Sequence, residues 1–183
     1  PFEALDGLTY VVIGDGVGGS GTIENATDLT GLALKENGIL AVHKEGTVPV
    51  CLGYDVDLPL NFENSDNVTH LLVRDFTGAV DDDLDIEDDG ILDYEPWSEM
   101  VDCVALVEED PMGPDFPLGE WIYCDTWVGP DGIYVPGLAI RCLDGWGIGL
   151  FDLCIDDSAG EPNLIFCDGA VPTEVQTWGS IKT

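Results

Sequence analysis

The sequence has very little positive charge. Its 183 residues include 5 lysines and arginines against 37 aspartates and glutamates, for a formal net charge of −32. Because contacts with phosphate groups depend on Lys and Arg side chains, this composition argues against nucleic-acid binding and against adsorption to anionic membranes. The sequence also lacks an apolar run long enough to cross a bilayer, so no membrane insertion is predicted.

The common catalytic and zinc-binding patterns are missing as well. No C-x-x-C pair occurs, and the two histidines, His43 and His70, are far apart in sequence, which argues against a structural zinc site. Neither G-x-S-x-G nor H-E-x-x-H is present, and general bases that titrate near neutral pH are scarce. The sequence therefore predicts a protein that is not an enzyme. Paired carboxylates are abundant, so a secreted hydrolase remains an alternative.

The sequence does contain six widely spaced cysteines. An even number without metal-ligand spacing is typical of disulfides formed in an oxidising compartment, and their pairing stays open. Two N-glycosylation sequons, at Asn25 and Asn67, indicate the same compartment. Because the chain starts at Pro1 without an initiator Met or a signal peptide, we expect a processed, secreted, extracellular product or a fragment of one. The cysteines are Cys51, Cys103, Cys124, Cys142, Cys154 and Cys167.

Short apolar runs separated by Gly, Pro, Asn and Asp predict an all-β fold. Hydrophobic residues make up 45% of the chain, which is enough for a core. Many short strands at regular spacing indicate a sandwich or barrel in a single domain, residues 1–183. A short helical turn is predicted at 96–101 and a long irregular insertion at 108–130. The predicted strands are 8–14, 38–43, 69–74, 100–107, 132–142, 146–152, 163–167 and 174–183.

The stretch "GDGVGG" at 14–19 matches the glycine pattern of a dinucleotide-binding loop. That interpretation requires a helix next, whose N-terminus would hold the pyrophosphate. The following residues, "SGTIENATDLTG", are rich in turn formers and show no helical periodicity. We therefore predict a hairpin or loop here.

The segment "DDDLDIEDDGILDYEPW" at 81–97 carries nine acidic side chains around one glycine. With Gly90 at the sixth position of a calcium loop, alternate carboxylates fall at positions 1, 3, 5 and 9, and a backbone carbonyl falls at position 7. Carboxylates are hard oxygen donors, which suits Ca²⁺. The sequence therefore predicts a calcium site. Its ligands would be Asp85, Glu87, Asp89, the Ile91 carbonyl and Asp93.

The predicted loop departs from an EF-hand at its end. Position 12, which is Glu in an EF-hand, is Pro96 here, so Glu95 or Glu99 is expected to supply the missing ligand. The three aspartates at 81–83 are expected to raise the local cation concentration without binding the ion. The alternative interpretation of the whole segment is a solvated acidic loop.

Several stretches together resemble one family. They are "LDGLTYVVIGDG", "GTIENATDLTG" and "ENGILAV", then the block "NFENSDNVTHLLVRDFTGAVDDDLDIEDDGILDYEPWSEMVDCVAL", and finally "GLAIRCLDGW" and "DDSAGEPN". Over residues 5–163 the chain resembles secreted lamin-tail-like domains of bacterial and marine invertebrate proteins. The resemblance implies an immunoglobulin-like β-sandwich without catalytic residues, used as an interaction or structural module.

The chain differs from that family at both ends. Family members begin with one or two further strands, and this chain continues past "EPN" with a strand-like extension, residues 164–183. An open sheet edge recruits strands, so the extension could fill such an edge in a neighbouring molecule and build a filament. The alternatives are that the tail pairs within its own domain, or that the first strands lie outside this sequence.

These features predict a secreted, non-catalytic, calcium-binding structural protein that self-associates in an extracellular fibre or matrix. Calcium would rigidify the loop and lower repulsion between neighbouring molecules. A cell-surface or accessory module that binds a glycan or a protein ligand is the main alternative, since five tryptophans are present.

Overall fold

The computed structural model describes residues 1–16, 19–46, 54–61, 66–108, 121–149 and 160–163. Within these ranges the chain forms nine β-strands and no helix, which confirms the all-β prediction. The strands are β1 (Leu8–Gly14), β2 (Thr22–Asp28), β3 (Val42–Lys44), β4 (Val56–Leu58), β5 (Val68–Arg74), β6 (Glu99–Leu106), β7 (Trp127–Val128), β8 (Ala139–Arg141) and β9 (Trp146–Ile148).

Five strands form the main sheet, in the order β2-β1-β5-β6-β7. The pairs β2–β1, β1–β5 and β5–β6 are antiparallel, and β7 joins β6 in parallel. Two small two-stranded sheets accompany it, a parallel β3–β4 pair and an antiparallel β8–β9 pair. The sheets are consistent with a β-sandwich. No helix within the described ranges is long and apolar enough to span a bilayer.

The core lies on one face of the main sheet. Strand β1 reads LTYVVIG and is buried at almost every position, because it lies inside the sheet and both of its faces are covered. Three residues from outside the sheet, Leu84, Trp97 and Tyr123, close over this face. The sheet residues of the core cluster are Val11, Ile13, Ile23, Leu71 and Val73.

Several predicted boundaries are wrong. The sequence predicts no strand at residues 22–28, which form β2; its antiparallel pairing with β1 agrees with the predicted hairpin or loop after β1. The segment 96–101 contains no helix, because the Ser98 amide donates to the Arg74 carbonyl at 2.9 Å and β6 begins at Glu99. Strand β7 lies inside the predicted irregular insertion, 108–130, and only 139–141 of the predicted strand 132–142 is extended. The predicted strands 163–167 and 174–183 fall outside the described residues, apart from Asn163.

Disulfides are present, as predicted. Cys103 in β6 is bonded to Cys124, with 6.1 Å between the Cα atoms, and Cys142 is also in a disulfide. None of the described cysteines is free. Cys51, Cys154 and Cys167 lie outside the described residues.

Both sequon asparagines are buried, and glycosylation at these positions stays a prediction. Asn25 is 4% exposed and its Nδ2 donates to the Thr27 hydroxyl at 3.0 Å, while Asn67 is 2% exposed and accepts from the Glu108 amide at 2.8 Å. The fold uses both amides as internal hydrogen-bonding groups.

The opposite face of the main sheet carries a Tyr10–His70 pair. The Tyr10 hydroxyl lies 2.6 Å from His70 Nδ1, and the rings stack with their centroids 5.9 Å apart. Desolvation by burial lowers the pKa of His70 from 6.5 to about 4 and raises the pKa of Tyr10. His70 is therefore neutral in the folded protein at neutral pH.

The stability of the fold should decrease on acidification because of His70. Its pKa is about 4 in the folded protein against 6.5 for an ordinary histidine, so the unfolded chain binds more protons between these two pH values. Stability contributed by neutral His70 falls as the pH drops from 6.5 towards 4, by up to about 3 kcal/mol. Urea denaturation across this range should show a smaller pH slope for His70→Gln than for the wild type. Equal slopes would show that His70 titrates normally.

Candidate functional site

The acidic segment begins as an extension of the sheet edge. The Ile23 amide donates to the Asp82 carbonyl and the Asp81 amide donates to the Ile23 carbonyl, each at 2.9 Å. Two residues after Asp82, the Leu84 amide donates to the Gly21 carbonyl at 3.1 Å, and the Leu84 side chain is fully buried in the core. The start of the loop is therefore held by β2 and by the core.

Asp85 follows immediately, and its side chain is fully buried. Its carboxylate accepts three hydrogen bonds: from the Asp89 amide at 3.0 Å, the Gly90 amide at 2.8 Å and the Tyr123 hydroxyl at 2.8 Å. Removing a carboxylate from water is costly unless such donors replace its hydration. The first predicted calcium ligand is thus the internal anchor of its own loop.

Two structural features require glycine at position 90. Its φ is +84°, the left-handed region expected for the sharp turn. A Cβ at this position would also lie 2.7 Å from Cδ2 of the Trp121 ring, which covers the loop. The Trp121 Nε1 donates to the Asp88 carbonyl at 2.9 Å. The loop is therefore clamped from outside by an aromatic side chain.

Ser20 links the two aromatic residues that contact the loop. Its hydroxyl oxygen lies 2.9 Å from the Tyr123 hydroxyl and accepts from the Trp121 amide at 3.3 Å. Burial raises the pKa of Tyr123, and the hydrogen bond to the Asp85 carboxylate raises it further, so the hydroxyl stays protonated as a donor. Sequence motifs could not identify these three residues, because they lie far from the loop in sequence and the sequence does not show that Asp85 is buried.

The four predicted carboxylate ligands do lie within electrostatic range of one another. The pKa of Glu87 is raised, first by a hydrogen bond with Asp93 and by the charge of Asp93, and to a smaller extent by desolvation and by the charges of Asp89 and Asp85. Two of these groups also cap the turn: Asp93 accepts from the Ile86 amide at 2.8 Å and Asp89 from the Ile91 amide at 3.0 Å. The loop therefore concentrates negative charge around Glu87.

The remaining predicted ligands are placed differently. Glu95 accepts from the Trp97 Nε1 at 3.0 Å, and Glu99 forms an ion pair with Arg74 at 3.1 Å across the β5–β6 ladder. The Ile91 side chain is 69% exposed, while Leu92 packs against the core. Glu95 and Glu99, the two candidates for the ligand that Pro96 cannot supply, thus both have partners outside the loop.

Two of the three aspartates at 81–83 have local structural roles. Asp82 accepts from the Ala79 amide at 2.7 Å, and Asp83 accepts from the Asp85 amide at 3.1 Å. In the described part of the chain, no group of three or more His, Cys, Asp or Glu side chains is already arranged to hold a metal ion.

Comparisons with known protein families, with curated proteins and with solved structures find no match to this chain. The resemblance to lamin-tail-like domains stays a prediction, and the loop has to be interpreted from its own geometry.

Replacing Tyr123 with Phe should destabilise the fold by about 2 kcal/mol, the range for a hydrogen bond to a charged group. The variant keeps the ring in the core but leaves the buried Asp85 carboxylate with only its two backbone donors. Urea denaturation measures the change. Tyr134→Phe, at a tyrosine that is 64% exposed, is the matched control and should have no measurable effect. Equal stabilities of the two variants would contradict the role of the Tyr123 hydroxyl.

Gly90→Ala and Gly38→Ala separate backbone strain from the Trp121 contact. Both glycines have positive φ, +84° and +79°, but a Cβ at Gly38 meets nothing within 4 Å. Gly38→Ala should cost about 1 kcal/mol from backbone strain alone. Gly90→Ala should cost roughly 1–3 kcal/mol more, because the Trp121 ring has to move. If chemical denaturation gives the two variants equal losses, Trp121 does not clamp this turn.

Proposed function

We propose that this chain is a secreted, non-catalytic, calcium-binding structural module with a lamin-tail-like sandwich fold. The observation that carries the proposal is the concentration of carboxylates around Glu87, with a hydrogen-bonded Glu87–Asp93 pair at its centre. Two neighbouring carboxylates without a cation repel each other, and either a shared proton or a bound cation relieves that repulsion. Calcium, which takes six to eight oxygen ligands in flexible geometry, suits an exposed acidic turn.

The carboxylates of the loop have different tasks in this proposal. Asp85 anchors the turn, since both of its oxygens already accept hydrogen bonds from the protein. Glu87, Asp89 and Asp93 supply oxygens to the ion, and water completes its coordination. Asp93 and Asp89 each accept one backbone hydrogen bond, which holds them near the turn while leaving lone pairs for a cation.

An extracellular location is supported by the Cys103–Cys124 disulfide, because such bonds persist in oxidising compartments. The charge of −32 keeps molecules apart in the absence of bound cations, so calcium would allow close packing in a fibre or matrix. For assembly by strand addition, the sheet has a candidate edge. Among the described residues, strand β7 pairs with β6 at Ala105 and Leu106, and residues 99–102 of β6 have no paired strand on that side.

Calcium should raise the melting temperature at an ionic strength of ~0.15 M, where general screening is already in place. Magnesium should have a smaller effect, and excess chelator should reverse the increase. Glu87→Gln should reduce the calcium-dependent shift because it removes a ligand, whereas Glu3→Gln, which removes one exposed charge outside the loop, should not. Equal shifts in the two variants, or no difference between calcium and chelator, would refute specific binding.

The pH dependence of calcium binding follows from the interaction between Glu87 and Asp93. The pKa of Glu87 is raised in the folded protein without calcium, so the folded protein binds a proton at Glu87 more tightly than the unfolded chain does. Protonation of Glu87 therefore favours folding as the pH falls. Protons then compete with calcium, and calcium affinity should decrease on acidification through the pKa of Glu87. Carboxyl NMR titration with and without calcium checks this, since calcium should move the Glu87 pKa downwards.

A further inference from the structure

A short segment, residues 121–126, joins the acidic loop to the main sheet. At its start Trp121 covers Gly90, and two residues later the Tyr123 hydroxyl donates to the Asp85 carboxylate at 2.8 Å. The next residue, Cys124, is bonded to Cys103 in β6. The side chains that order the loop are therefore attached to the sheet by a covalent bond directly beside them.

The disulfide acts together with hydrogen bonds. Trp121 and Tyr123 bond to Ser20, Asp85 and Asp88, and the Tyr123 amide donates to the Thr69 hydroxyl at 3.1 Å. Strand β7, which follows, pairs with β6 over only two residues. The disulfide is the covalent attachment among these contacts, and it limits how far Tyr123 can move from β6.

We propose that the Cys103–Cys124 disulfide is a redox-controlled clasp that determines whether the acidic loop 85–93 is ordered. Both cysteines are partly buried, and Cys103 packs against the core cluster. Reduction by a dithiol breaks the S–S bond: two electrons and two protons pass to Cys103 and Cys124, giving two thiols, and the dithiol becomes a cyclic disulfide. The loop then takes its ordered form only after the chain has been oxidised.

Reduction of the disulfide affects the loop through the buried Asp85 carboxylate. When Cys124 is released, only non-covalent contacts hold Tyr123, so its hydroxyl separates from Asp85 more often and the carboxylate then loses one of its three donors. A fully enclosed carboxylate with an unfilled acceptor site draws in water, because burial without full hydrogen bonding is unfavourable. The turn that Asp85 organises, at Asp89 and Gly90, opens as a consequence.

Amide hydrogen exchange by NMR on the full chain tests the clasp. In a Cys103→Ala/Cys124→Ala double variant, the Asp89 and Gly90 amides should exchange faster, on the order of tenfold or more, as expected for losing a hydrogen bond to a charged group. The Thr30 amide is the matched control, since it donates to the Asp28 carboxylate in a turn outside the loop and should not change. Sheet amides such as Val11 and Leu71 report on the fold as a whole.

The exchange rates of these amides either support or overturn the proposed clasp. Unchanged exchange at Asp89 and Gly90 overturns the proposal, and so does a general loss of protection that includes Val11 and Leu71, because the disulfide then holds the whole fold. A second variant, Tyr123→Phe, keeps the disulfide and removes the hydroxyl that contacts Asp85. It should accelerate the Gly90 amide without changing Thr30, and failure to do so shows that the coupling does not pass through this hydroxyl.

Discussion

The burial of the Asp85 carboxylate is the constraint on which the rest of this region depends. A fully enclosed carboxylate requires several donors, and they come from two places, the backbone of its own loop and the Tyr123 hydroxyl. This requirement places residues 121–126 over the sheet. It also accounts for Gly21, whose φ is +92° and where a Cβ would lie 2.6 Å from the Asp85 Cβ. One buried charge thus sets the positions of three segments that are distant in sequence.

The sheet could be predicted where its strands carry their own signal. Strands β1, β5 and β6 are rich in β-branched and other apolar residues, and their predicted positions agree with the structure within about two residues. Strand β2, with the sequence TIENATD, could not be recognised because most of its residues are poor strand formers. It is extended because β1 pairs with it and because Asn25 bonds to Thr27 and Tyr10. Tertiary contacts override local preference there.

The candidate site was predictable to a similar, partial extent. The spacing around Gly90 correctly placed a sharp turn, and Asp85, Glu87, Asp89 and Asp93 do interact electrostatically. Spacing could not show that Asp85 faces the core, since that depends on Tyr123, 38 residues away. It also could not assign Glu99, which is near the loop in sequence but is carried away from it by β6 to pair with Arg74. Local patterns identify turns, whereas the partners of a side chain depend on topology.

The surplus of acidic residues has a structural use in the described parts of the chain. Ion pairs account for few of them, because Lys and Arg are scarce, and the ion pairs in these parts are largely exposed. Many aspartates instead accept backbone amide hydrogens and stabilise turns. These bonds satisfy hydrogen-bonding groups but leave the net negative charge unchanged. A chain with this charge is strongly self-repelling, so the close approach of two such molecules would require counterions from the solvent. The aspartates that accept a backbone amide hydrogen are Asp6, Asp28, Asp55, Asp82, Asp83, Asp85, Asp89, Asp93 and Asp102.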